Sequence, residues 1–164
     1  MCGISGFVTN KINNENEFIE TIKLMNGSLA HRGPDHTSYW MDYRKGICIG
    51  HNRLSIQDLS VAGNQPMISD NKRFVLSYNG EIYNHYELRK KIESSNIENL
   101  KWKSSSDTET LLKCIEIFGF EKSLNLINGM FSIFLFDRKN DKIYLAIDRF
   151  GEKPLRLTSP VGFA

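Results

Sequence analysis

Met130-Phe131-Ser132-Ile133-Phe134-Leu135-Phe136, a polar turn over residues 137–141, and then Lys142-Ile143-Tyr144-Leu145-Ala146-Ile147 is the stretch on which the fold turns. Two apolar and β-branched runs around a short charged turn predict a β-hairpin. Toward the N-terminus, Arg73-Phe74-Val75-Leu76-Ser77-Tyr78 predicts another strand. Residues 37–42 and 46–54 predict two more, joined at Tyr43-Arg44-Lys45-Gly46, and residues 58–69 a loop. Gly3-Ile4-Ser5-Gly6-Phe7-Val8-Thr9 reads as a strand loosened by two glycines. Helical signals lie between these strands. Phe18, Ile22, Met25 and Leu29 recur at helical spacing and predict an amphipathic helix over 16–29, which His31-Arg32-Gly33-Pro34-Asp35 breaks. Asn84 with Glu87, and Ser106 with Glu109, have the spacing of capping boxes and predict helices ending near Glu93 and at Gly119. Strands outnumber helices, and the helices fall between groups of strands. That arrangement predicts an α+β layered domain with largely antiparallel sheets rather than a doubly wound parallel one.

Composition narrows the function classes. A chain of 164 residues has the size of one domain, and with 40% hydrophobic and 11% aromatic residues it can build a core. Lys and Arg number 21 against 19 Asp and Glu, a net charge of +2, which gives no excess of positive charge for nucleic acid or a membrane surface. The apolar runs are strand-length, so no transmembrane helix is expected, and the start lacks the pattern of a secretory signal. Cys2, Cys48 and Cys114 are an odd, widely spaced set without a Cys-x-x-Cys pair, as suits a reducing cytoplasm. Cys48 and Cys114 read as core residues, and Arg89-Lys90-Lys91 as a solvated helix face. His31, His36, His51 and His85 form no pair at ligand spacing, so no metal is expected.

The chemistry centres on Cys2. Removal of Met1 would place a thiol and a free α-amine on one residue, with ordinary pKa values of about 8.5 and about 8. The amine can then serve as base for its own side chain, with no histidine required. Attack on an amide needs an oxyanion hole, for which Asn79 offers a side-chain NH₂ and Gly80 an unobstructed backbone N–H at the end of a strand. In isolation Asn-Gly is equally a turn dipeptide. Arg53 can clamp a carboxylate through two parallel hydrogen bonds, although a structural carboxylate is as good a partner. Glu81 and Asp107 can hold an ammonium group, but Asp107 also suits the first turn of a helix and Glu81 a plain surface position. Taken together, these residues describe a pocket that reads an amino acid at both charged ends.

Cys2-Gly3-Ile4-Ser5-Gly6, His31-Arg32-Gly33-Pro34-Asp35, Arg53-Leu54-Ser55-Ile56, Asn79-Gly80-Glu81-Ile82-Tyr83-Asn84, Ser106-Asp107-Thr108-Glu109, Gly129-Met130-Phe131 and Asp148-Arg149-Phe150-Gly151-Glu152-Lys153-Pro154-Leu155 occur in that order. In that order and spacing the chain resembles the N-terminal class II glutamine amidotransferase domain of glutamine-hydrolysing asparagine synthetases, one of the N-terminal-nucleophile hydrolases. The resemblance runs from Met1 to about Leu155. It implies a four-layer αββα sandwich and attack of Cys2 on the side-chain amide of L-glutamine. By the same resemblance Asn79 and Gly80 stabilise the oxyanion, Arg53 binds the α-carboxylate, and Glu81 and Asp107 bind the α-ammonium. Backbone carbonyls near Leu54 and Ile56 orient the substrate. No cofactor is implied for this part. ATP and Mg belong to a synthetase domain that receives the ammonia and amidates aspartate.

After Leu155 the family continues with an aromatic pair and further strands, whereas this chain reads Arg156-Leu157-Thr158-Ser159-Pro160-Val161-Gly162-Phe163-Ala164. The expectation is therefore a glutaminase domain over 1–155, C-terminally truncated, a divergent tail over 156–164, and no synthetase domain. Such a chain is expected to hydrolyse glutamine at most weakly and not to make asparagine. Two other readings stay open: a glutaminase whose ammonia goes to a sugar acid, and an inactive remnant.

Overall fold

The computed structural model describes residues 2–10, 14–95, 97 and 100–158. Strand β1 (Gly3–Val8) leads into helix α1 (Glu15–Ser28), followed by β2 (His36–Asp42) and β3 (Ile47–Arg53). After a loop come β4 (Met67–Ile68), β5 (Phe74–Ile82), α2 (His85–Glu93), α3 (Asp107–Phe118), α4 (Phe120–Leu126), β6 (Gly129–Asp137) and β7 (Lys142–Ile147). The strands form two antiparallel sheets, ordered β1-β3-β2 and β4-β5-β6-β7.

Side-chain alternation stacks these elements into four layers. On β3 every residue is buried, because the strand is central in its sheet and covered on both faces. Cys48 packs with Phe18 and Ile22 of α1 on the outer face, while Ile47 and Ile49 meet Val75, Phe134 and Phe136 of the second sheet. The alternate residues of that sheet, among them Leu76, Tyr78, Ile133 and Leu135, pack under α2 and α3 against Leu88, Ile92, Leu111 and Ile115. The α+β class and the αββα order expected above are what the molecule has. Cys48 and Cys114 are fully buried.

Several local expectations need correcting. β5 continues past Tyr78 to Ile82, since Asn79, Gly80 and Glu81 stay paired with Ser132, Phe131 and Met130 of β6. The Asn-Gly pair is thus inside a strand, not at its end. Asn84 does not cap α2 with its side chain; its carboxamide instead bonds Leu126 O and Asn128 N. Ser106 does cap α3 by accepting from Glu109 N at 3.3 Å, but Glu109 turns back to Lys103 N, Ser104 N and Ser104 Oγ rather than to Ser106. Arg89 is no solvated face residue. It donates to Thr110 Oγ1, Ser104 O and Ser106 O and stacks 4.1 Å over the Trp102 ring. Helix α4 was not expected at all.

Candidate active site

Cys2 lies just before β1, whose first residue, Gly3, pairs with Asn52, so the thiol sits beside the end of β3. Leu54 N donates to Cys2 Sγ at 3.4 Å, and the thiol faces Leu54 O at 3.8 Å. Arg32 Nε fixes the Cys2 carbonyl at 3.1 Å. Burial pushes the Cys2 thiol up from its ordinary range, against the opposing pull of the Leu54 N–H and the Arg53 charge. A standing thiolate is therefore disfavoured at neutral pH, and the sulfur needs a proton acceptor to attack.

Arg53, at the end of β3, is almost wholly buried. Its Nη1 donates to Ser60 O and Asn64 Oδ1, both at 2.7 Å, and its Nη2 donates to Asp58 O. All of these acceptors are neutral. Among the described residues no carboxylate pairs with the guanidinium. The loop after β3 wraps the fork so tightly that a Cβ on Gly63 would fall 2.3 Å from Arg53 Nη2. A buried cation held only by neutral acceptors is ready for an anion from outside.

Opposite stands β5. Tyr78 N donates to Gln65 Oε1 at 2.6 Å and Ile82 N to Asp107 Oδ2 at 3.0 Å, both on the strand edge away from β6. By strand alternation the Gly80 N–H, two residues from each, points from the same open edge. No described residue takes up the Asn79 carboxamide. Asp107 Oδ2 also accepts from Tyr78 OH at 2.7 Å. Burial raises the Asp107 carboxyl, and the Ile82 and Tyr78 donors resist that rise. Glu81 stands at the rim, exposed.

One cavity is lined by Cys2, Arg53, Leu54, Ile56, Asn79, Gly80, Glu81 and Asp107, bringing all eight residues singled out in the sequence to one place. Among them are a thiol, free donors on β5, a cation unpaired with any carboxylate and a buried carboxylate. The cavity also takes in Asp58, Gly63 and Gln65, which lie outside the quoted motifs, and Thr108 and Lys153, which lie within them but were given no part in the site. The Asp-x-Ser spacing at 58–60 was the available signal: Ser60 N donates to Asp58 Oδ1 at 2.7 Å, an Asx turn. Lys153 is set by Asp148. Burial acts to raise that carboxyl, but the N–H groups of Glu152, Lys153, Phe131 and Phe150 prevail and bring it down to about 2. No group of three or more His, Cys, Asp or Glu among the described residues is arranged to hold a metal.

A family model described as a glutamine amidotransferase domain matches residues 1–162. The chain is 35% identical over 162 residues to asparagine synthetase [glutamine-hydrolyzing] 2 of Bacillus subtilis (strain 168), covering 96% of this chain and 20% of that protein. It is 32% identical over 155 residues to asparagine synthetase [glutamine-hydrolyzing] of Sandersonia aurantiaca, covering 94% of this chain and 28% of that one. The chain thus spans less than a third of the length of these relatives. Among solved structures, a glutamine phosphoribosylpyrophosphate amidotransferase from B. subtilis shares the fold, with a TM-score of 0.51 and 23% identity over 65% of this chain and 25% of that one.

Proposed function

The chain belongs to the glutamine amidotransferase domain family, and from that premise we propose that its cavity hydrolyses L-glutamine to L-glutamate and ammonia through a thioester on Cys2. With Met1 removed, the α-amine of Cys2 takes the thiol proton as sulfur attacks the amide carbon. Asn79 Nδ2 and Gly80 N–H receive the negative charge that builds on the amide oxygen. The C–N bond breaks, the α-ammonium returns the proton to the leaving nitrogen, and ammonia departs. Water then adds to the thioester, the amine again accepting a proton, and glutamate leaves as sulfur is released. Arg53 holds the α-carboxylate, and Asp107 with Glu81 the α-ammonium, while the Leu54 and Ile56 backbone orients the chain between them.

The observation that carries this reading is the Arg53 guanidinium, buried among neutral acceptors in the same cavity as a buried carboxylate and a thiol. The names of the relatives favour aspartate as final acceptor of the ammonia, in a synthetase part to which ATP and Mg would belong. The glutaminase chemistry is assigned to residues 1–155. Free cysteines favour the cytoplasm as its setting, and no described helix is long and apolar enough to cross a membrane. The test is glutamate release by the chain with Met1 removed and by Cys2→Ala. Turnover is expected to vanish in the variant, and turnover that survives the substitution sinks the reading.

A further inference from the structure

The loop that carries the Arg53 cradle and the segment that leads into α3 are separated by more than forty residues, yet they are tied through one side chain. Asp58 accepts Arg53 Nη2 on its main-chain oxygen. Its carboxylate turns the other way: Oδ1 takes Ser60 N at 2.7 Å, and Oδ2 takes Ser105 N at 2.8 Å and Ser105 Oγ at 3.2 Å. Ser105 is two residues before Asp107, the buried carboxylate on the far side of the cavity. Asp58 therefore reaches both ends of the site at once. It also withholds its charge from Arg53, since a carboxylate five residues from a buried guanidinium has been spent on Ser60 and Ser105 donors instead. Those donors, Ser60 first, bring its carboxyl down to about 2 against burial, so it is ionised at any working pH.

We infer that Asp58 is a positioning residue that sets the separation between the cation and the carboxylate of the substrate pocket, and thereby the preference for a free α-amino acid. The inference rests on the glutaminase reading above. Asp58 does not touch the reacting atoms; it acts through Arg53 and through Ser105. Exchanging one carboxylate oxygen for an NH₂ sets donor against donor at either Ser60 N or Ser105 N. One strap of the site is then released while volume is kept.

The experiment compares wild type, Asp58→Asn and Ser105→Ala, all with Met1 removed, on L-glutamine and on its α-amide, which lacks the α-carboxylate charge. Displacement of an anchor by a fraction of an ångström is expected to raise the glutamine KM of Asp58→Asn about tenfold or more. The change in kcat is expected to be smaller, and the preference for glutamine over the α-amide narrower. Ser105→Ala, which loses a single hydroxyl bond, is expected to raise KM about threefold and keeps the test open if Asp58→Asn does not fold. A purely structural role would lower the fraction of chains whose Cys2 reacts with iodoacetamide, leaving KM and preference alone. That result, or unchanged KM and preference in both variants, overturns the inference while the glutaminase reading stands. A wild-type chain that neither turns over nor is saturated by glutamine overturns both.

Discussion

Arg53 shows how much of the site is decided by one side chain. Its fork is pre-set by three neutral acceptors on a loop bent around it, and a lysine in its place would carry the charge without the planar geometry those acceptors fit. Arg53→Lys is therefore expected to raise KM for glutamine by about tenfold to a hundredfold, the range of a lost charge-assisted hydrogen bond or two, with kcat less affected. Steady-state kinetics decide it, and an unchanged KM would mean that the carboxylate is held elsewhere. Cys2 and Arg53 stood out by chemistry, a thiol at the second position and an arginine in an apolar strand, whereas Asn79 and Asp107, each at home in a turn or a helix start, stood out only through the ordered motifs that hold them. Asp58, Gly63 and Gln65 were not. Gly63 matters only through how its loop folds back on Arg53, Asp58 reaches Ser105 far along the chain, and no local pattern marks Gln65 as the acceptor of Tyr78 N.

At the scale of elements, β5 is the decisive piece, because its edge serves the cavity while its other side is sealed to β6. Gly80 makes that seal possible. A Cβ there would stand 2.2 Å from Met130 O and 2.7 Å from Phe131 Cα. Gly80→Ala must push the strands apart, at a cost of about 1–3 kcal/mol as for other overpacked sites, and it tilts the N–H that faces the cavity. Urea unfolding together with glutamine kinetics checks this: lower stability with a lower kcat is expected, and full stability with full activity would refute it. The hairpin of β6 and β7 was readable from its apolar runs, since β-branched and aromatic residues on a pleated surface announce themselves. The end of β5 was hidden by Asn-Gly-Glu, whose local preference for a turn is overruled by pairing with Met130, Phe131 and Ser132. Helix α4 escaped because Gly119, at φ 83°, looks like a stop, and the seven residues beyond it are too few to establish a period.

The whole molecule carries its own pH response. His51, fully buried between the sheets, donates from Nε2 to Tyr78 O at 3.1 Å as the neutral ring. Burial lowers its pKa to about 4, more than the Tyr78 carbonyl can restore, whereas in the unfolded chain it titrates near 6.5. Between those two values the unfolded chain binds a proton that the folded one refuses, so stability is full above about pH 6.5 and declines as pH falls toward 4, by about 3 kcal/mol in all. Urea melts at pH 7, 5.5 and 4.5 are expected to show that slope, and His51→Gln to flatten it; an equal slope in the variant would assign the loss to other groups. The α+β class was readable from where strands and helices fall along the chain and the αββα order only through the family resemblance, while the face each strand presents to each layer was not, because alternation gives two faces without saying which partner covers which. That partition has a mechanical meaning. Cys2 and Arg53 ride on one sheet, Asn79 and Gly80 on the other, so the cavity is a caliper with a jaw on each slab. Ile47, Ile49, Val75, Phe134 and Phe136 are the spacer between the slabs. The gap between Cys2 and the donors of β5 thus follows the thickness of a small apolar core, and a methyl group lost there is expected to shift one jaw against the other.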